Sequence, residues 1–134
     1  MKILYVPRTE GSRVVQFLHD AWGALMREGL WSKTNVLITG LEQCVFAMER
    51  NRIIGCLAFH VDEGVGSVIT IAYVLPKHRG RGVYRALHAA FQDKSKEQGA
   101  KCLINICYPT NEGIQETCKK LGYHLYTQEW RRTT

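Results

Sequence analysis

The stretch Val74-Leu75-Pro76-Lys77-His78-Arg79-Gly80-Arg81-Gly82-Val83-Tyr84 decides how the rest of the chain is read. Ahead of it, Ser67 to Leu75 is a β-prone apolar run with the composition of a buried strand. Behind it, Val83 to Gln98 carries Val83, Leu87, Ala90 and Phe91 at helical spacing. Pro76 ends the strand and Gly82 opens the helix, so the segment reads as strand, glycine-rich turn, helix N-terminus. Such a turn aims several backbone N–H groups without intrahelical acceptors at one point. The helix dipole adds partial positive charge there, which suits phosphate. Gly80 and Gly82 lack a Cβ and admit a close ligand, while Arg79 and Arg81 add charge. The competing reading is a solvated turn with two surface arginines. The agreement of strand, Arg-Gly-Arg-Gly phasing and helix favours the anion site. The pattern is neither a P-loop, since no Gly-Lys-Ser/Thr follows, nor a dinucleotide fingerprint, since Arg85 stands where the third glycine belongs.

Outward from this segment the chain alternates between strand and helix patterns. Lys2 to Val6 is β-prone and ends at Pro7. Ser12 is placed to cap a helix over about Arg13 to Arg27, where Val14, Phe17, Leu18, Ala21, Trp22, Leu25 and Met26 share a face and Gly29 closes the run. Leu30 to Glu42 fits either a short helix or a loop, and Trp31 within it is an acceptor contact or a core aromatic. Cys44 to Glu49 and Ile53 to Val61 read as a hairpin across Asn51-Arg52. Asp62 to Gly66 turns the chain into the Ser67 strand, completing an antiparallel meander. After the helix and a Gly99 cap come a strand from Cys102 to Tyr108, a helix from Asn111 to Leu121 with Gly122 as its cap, and a strand from Tyr123 to Trp130. The Ser67 strand, its helix and the Cys102 strand form a βαβ unit, so those strands should lie parallel. The expected fold is a single α/β domain over residues 1–134 with a mixed central sheet.

At 134 residues the chain is long enough for one real core, and 46% hydrophobic content is ordinary for a globular protein. No apolar run is long enough to span a membrane, and Met1 to Pro7 is no signal peptide. The formal charge of +6 and the pI near 9.2 favour an anionic partner. Part of that surplus is local, in Lys77 to Arg85 and Arg131-Arg132, so nucleic-acid binding is not inferred from it. Five cysteines, Cys44, Cys56, Cys102, Cys107 and Cys118, form no Cys-x-x-Cys pair. They read as thiols packed as small hydrophobes in a reduced, cytoplasmic protein without a metal site.

Val74 to Val83 closely resembles the pyrophosphate-binding segment of the GNAT family of N-acetyltransferases. The family pattern is Arg or Gln, two residues, Gly, one residue, then Gly or Ala. Arg79 and Gly82 match it, and Tyr84 departs from it at the last position. Asn111 to Tyr123, ending Lys120-Leu121-Gly122-Tyr123, resembles the family's last helix and its closing Leu-Gly-aromatic. The order of elements fits from about Met1 to Trp130. The resemblance implies acetyl-CoA as co-substrate and an amine as acceptor, without a metal. Arg79, Gly80, Arg81, Gly82, Val83 and Tyr84 would hold the pyrophosphate, and Ala72, Tyr73 and Val74 would hold the pantetheine arm through their backbone. Asn111 would bond that arm, cap its helix, or do both. The family's two strands corresponding to Ser67 and Cys102 splay apart, and the thioester lies in the gap. The acceptor is not legible, and a homodimer stays open.

At the acid and base positions the chain departs from the family pattern. Many members carry a tyrosine acid in the last helix, seven residues after the asparagine matched by Asn111; here that position is Cys118. Its thiol is either an acid for a departing thiolate or a core group packed with Ile114 and Leu121. Tyr108, Tyr123 and Tyr84 are the replacement acids. Many members also carry a glutamate base in the fourth strand, whereas Ser67 to Leu75 contains no acidic residue. A water chain, Glu49 or His60 would then serve, and His60 is otherwise a structural strand histidine. Two functions follow: an N-acetyltransferase working by direct attack in a ternary complex, or an acyl-CoA-binding module on the same fold that has lost turnover. A basic nucleic-acid-binding or partner-inhibiting protein is the weaker third.

Overall fold

In the computed structural model, residues 1–29, 38–106, 111–125 and 132 are described. Trp31, Cys107, Tyr108 and most of the expected last strand lie outside them. The element order is β1 (Lys2–Val6), α1 (Val14–Arg27), β2 (Gln43–Glu49), β3 (Arg52–Asp62), β4 (Gly66–Val74), a 3₁₀ turn (Pro76–His78), α2 (Val83–Glu97), β5 (Leu103–Asn105) and α3 (Glu112–Lys120). The sheet runs β1-β2-β3-β4-β5. β1 to β4 pair antiparallel with their neighbours, and β5 lies parallel to β4, as the βαβ reading requires.

Two apolar clusters sandwich the sheet. On one face Val14, Leu18, Ala21 and Leu25 of α1 pack on Cys44, Phe46, Cys56, Ala58, Ile71 and Tyr73. On the other, Val83, Leu87 and Phe91 of α2 pack on Val45, Leu57, Phe59, Ile69 and Val74. Strand residues two apart normally share a face, yet Ile69 and Ile71 lie in opposite clusters. The cause is a β-bulge: Phe59 pairs with Ile69 and Ala58 with Ile71, leaving Thr70 as an extra residue in β4. The start of α2 comes close to β3 at Gly55, where an added Cβ would sit 3.2 Å from Val83 and 3.3 Å from Leu87.

Several expected boundaries move. The hairpin between β2 and β3 turns at Arg50-Asn51, whose φ values of 50° and 63° are left-handed, one residue earlier than read. Arg13, not Ser12, occupies the cap of α1, although the Ser12 hydroxyl still accepts from the Val14 amide at 3.4 Å. Among the described residues, β5 covers Leu103–Asn105 of the strand expected from Cys102 to Tyr108, and Tyr123 to Leu125 are not in a strand. Cys44, Cys56 and Cys118 are buried, while Cys102 is exposed, its thiol donating to the Val65 carbonyl at 2.7 Å. Among the described residues no cluster of three His, Cys, Asp or Glu is placed to hold a metal, and no helix is long and apolar enough to cross a membrane.

Candidate active site

The β4–β5 ladder is short. It runs from Ser67 opposite Leu103 to Ile69 opposite Asn105, and among the described residues it ends there. β4 continues to Val74, and beside it opens a cavity of about 270 Å³ lined by Ile69 to Val74, Arg79, Tyr84, Asn105, Asn111 and Thr117, among others. A second cavity, about 450 Å³, lies over the glycine turn and is lined by His78, Arg79, Gly80, Gly82, Tyr84, Arg85 and Lys120, among others. Val74, Arg79, Tyr84 and Thr117 line both. The two are therefore adjoining parts of one elongated groove, apolar at the strand gap and cationic at the turn.

The turn is built as its sequence suggests. Gly80 and Gly82 have φ of 76° and 80°, a region that a side chain enters only with strain. A Cβ on either would meet nothing within 4 Å, so the space above both is open. Gly82 is the residue before α2, and the first α-helical bond is Ala86 N–H to Gly82 C=O at 3.1 Å. The amides of the first turn thus face out of the helix end toward the second cavity.

The arginines behave differently from the expectation. Arg79 turns back on the protein: its Nε donates to the Val74 carbonyl at 2.9 Å, its guanidinium lies 5.1 Å from the Tyr73 ring centre, and Nη2 is 3.6 Å from Glu28. Arg81 reaches His78 Nδ1 at 2.9 Å and Glu49 at 3.4 Å, and lines neither cavity. The cations on the cavity wall beyond Arg79 are Arg85 and Lys120, which the sequence reading did not single out. A helical spacing signal was present, since Arg85 lies in the first turn of α2 on the side of Gly82. Lys120 becomes legible only once α3 is docked beside the turn.

In the strand gap, the Asn105 amide stands between two sequence-expected groups, donating to Tyr84 Oη at 3.3 Å and to Cys118 Sγ at 3.2 Å. Tyr84 lines both cavities; Cys118 is buried and lines neither. Asn111 caps α3, its side-chain oxygen accepting from the Ile114 amide at 3.2 Å, and also lines the gap. Tyr73 donates to Glu28 at 3.5 Å, and burial, reinforced by that carboxylate, pushes its phenol above the usual value. Tyr123 lies away from the groove lining, its hydroxyl 2.6 Å from His88 Nε2. His88 is buried beside Phe91 in α2, and burial lowers its pKa. His60 is exposed on β3. Its Nδ1 is 3.3 Å from Thr70 Oγ1, and through Thr70 it touches the groove wall. Glu49 pairs with Arg81 and lines neither cavity. Among the described lining residues there is no carboxylate.

Comparison with known proteins places this architecture. The profile of the acetyltransferase (GNAT) family matches residues 13–123. Among solved structures, the aminoglycoside N-acetyltransferase AAC(6')-Iy in complex with CoA is 18% identical, with a TM-score of 0.72 over 99% of this chain and 100% of that one. An aminoglycoside acetyltransferase, meta-AAC0020, from an uncultured soil metagenomic sample in complex with sisomicin gives 15% and 0.74 over 99% and 95%. A ribosomal-protein-alanine N-acetyltransferase from Brucella melitensis biovar Abortus 2308 gives 15% and 0.70 over the whole of both chains. No curated protein sequence matches. At these identities the structures speak for the fold, while the profile spans most of the sequence, the glycine turn included: the chain belongs to the GNAT acetyltransferase family.

Proposed function

We propose that the protein is an N-acetyltransferase that moves an acetyl group from acetyl-CoA to a primary amine by direct attack in a ternary complex. The observation that carries this reading is the elongated groove, joining a cationic, amide-lined turn to an apolar gap beside β4 where its described ladder with β5 ends. The residues present fit acetyl-CoA. The open space over Gly80 and Gly82 accommodates a pyrophosphate against the first amides of α2. Arg85 and Lys120 supply positive charge, and Ala72 to Val74 of β4 line the part of the groove that would take the pantetheine arm. Backbone N–H groups of β4 beyond Ile69 are the candidates to polarise the thioester carbonyl.

The amine must arrive neutral, and the departing sulfur must gain a proton. We assign the proton donor to Tyr84. Tyr84 lines both parts of the groove and its hydroxyl accepts from Asn105, whereas Cys118 is buried and lines neither. Acceptors of the two structural relatives are an aminoglycoside, in the complex with sisomicin, and, by name, a ribosomal-protein alanine. A small polyamine or a protein amine is the corresponding class here, in a cytoplasmic setting.

The test is thiol release from acetyl-CoA across a panel of amines, beside thermal unfolding with and without CoA. Ligand at about a hundred times its Kd contributes about 2.7 kcal/mol to stability, roughly 10 °C for a chain of this size. Stabilisation together with amine-dependent thiol release supports the enzyme. Stabilisation without turnover establishes the alternative, an acyl-CoA-binding module, and neither effect refutes both.

A further inference from the structure

We propose that Thr70, His60 and Asp62 form a proton relay that takes the acceptor's ammonium proton from the groove to bulk water, an inference that rests on the transferase reading above. Proton removal in the groove needs a base, and among the described residues no carboxylate lines it. One chain of contacts leads out of the strand gap to an imidazole. Thr70 lines the gap, its Oγ1 lies 3.3 Å from His60 Nδ1, and His60 Nε2 lies 3.4 Å from Asp62 Oδ2.

The arrangement is built by the sheet. His60 and Asp62 are two apart on β3 and so share a face. Thr70 is the bulged residue of β4, the one position of that strand between Ile69 and Ile71 without a β3 partner. A regular ladder would set residue 70 opposite Ala58; the bulge instead brings its hydroxyl to His60. One tautomer satisfies both contacts: Nε2–H faces Asp62, and Nδ1 accepts from Thr70. The side chains of His60 and Asp62 are 49% and 51% exposed, so the imidazole exchanges protons with solvent while the hydroxyl it contacts lines the groove. Asp62 from its own strand and Thr70 from β4 are the groups recorded against the ring among the described residues.

The balance is simple. An ammonium N–H donates to Thr70 Oγ1, and its proton passes to that oxygen as the threonine's own proton moves to His60 Nδ1. The imidazolium, held by Asp62, loses its proton to water. The neutral amine attacks the thioester carbonyl carbon; the C–N bond forms, and the C–S bond breaks with its electron pair on sulfur. The nitrogen's second surplus proton leaves through the groove as the thiolate is protonated, so one proton is released overall per turnover. Thr70 is the group that touches substrate, His60 the base acting through it, and Asp62 a positioning residue.

The variants are Thr70→Val, His60→Gln and Asp62→Asn, assayed with the best amine of the panel across pH. Thr70→Val and His60→Gln should each lower kcat by roughly 10²- to 10⁴-fold, with CoA affinity by calorimetry unchanged. Asp62→Asn removes the anion that orients Nε2–H, so the Nε2–H tautomer should lose population in that variant and kcat should fall by less than in His60→Gln. Nitrogen-edited NMR should show His60 as the Nε2–H tautomer in the wild type, with the Nδ1 resonance shifted in Thr70→Val. Wild-type rates in Thr70→Val and His60→Gln, or an Nδ1–H tautomer, would overturn the relay and leave the transferase reading standing. CoA binding without turnover for any amine sinks the transferase reading and the relay with it.

Discussion

Replacing Gly82 with alanine and with glutamate separates backbone strain from charge at the turn. Gly82 has φ 80° and ψ 11°, and a Cβ there meets nothing within 4 Å. Both variants therefore carry the same left-handed strain, about 1–2 kcal/mol, and the Cβ of each has open space. With an unfolding entropy of about 2.1 cal/mol/K per residue, that strain should lower Tm by roughly 4–7 °C in either variant. The two differ in what a phosphate meets. A carboxylate about 5 Å from one phosphate charge, at an effective dielectric of about 20, costs about 3 kcal/mol, a hundredfold or more in affinity. Calorimetric titration with CoA should find Gly82→Ala binding within roughly tenfold of wild type and Gly82→Glu at least a hundredfold weaker, the gap narrowing at high salt. Equal CoA affinity in the two variants, with their Tm values matched, would refute an anion site at the start of α2.

Arg85→Ala and Lys120→Ala should each weaken CoA binding at low salt by more than Arg81→Ala, because Arg81 is spent on His78 and Glu49; an Arg81 effect equal to theirs in titration would contradict that placement. Cys118→Ala should lower stability by about 1 kcal/mol, since it leaves a small void and takes the acceptor from Asn105, with turnover per folded molecule unchanged; a large rate loss at constant Tm would make Cys118 the acid instead. Glu42 is buried, and although burial raises its pKa, bonds from the Thr39 amide, its own backbone N–H and the Thr9 and Thr39 hydroxyls hold the carboxyl below its usual value. Its contribution is thus present above the unfolded pKa and lost as pH falls through the folded one. Glu42→Gln should cost on the order of 1–3 kcal/mol at pH 7 and flatten the acid side of a Tm-against-pH curve; parallel curves for the two proteins would exclude this.

The meander, the βαβ crossover and the glycine turn were legible because each rests on local chemistry: period-two burial, a proline and glycine at fixed places, an apolar helical face. What sequence could not give was the direction of long side chains. Arg79 and Arg81 read as phosphate ligands by position, yet Val74 O, Tyr73, Glu28, His78 and Glu49 lie nearer to them in the fold. Nor does a sequence announce a bulge: Thr70 looks like any strand threonine until the register of β3 and β4 is known. His88 was hidden among the α2 core positions by the same periodicity that revealed the helix.

Arg79 has one more consequence, for how events at the two ends of the groove are tied. Its guanidinium spans from the β4 terminus to Glu28 at the C-terminal end of α1. Glu28 is remote from the glycine turn in sequence, yet in the fold it shares a side chain with it. A ligand that draws Arg79 toward the turn must weaken its hold on α1, and by reciprocity any ligand that engages Glu28 alters affinity at the turn by the same factor. Both partners of the ion pair are partly exposed, at 45% and 33%, which limits the linkage to about 1 kcal/mol, near fivefold.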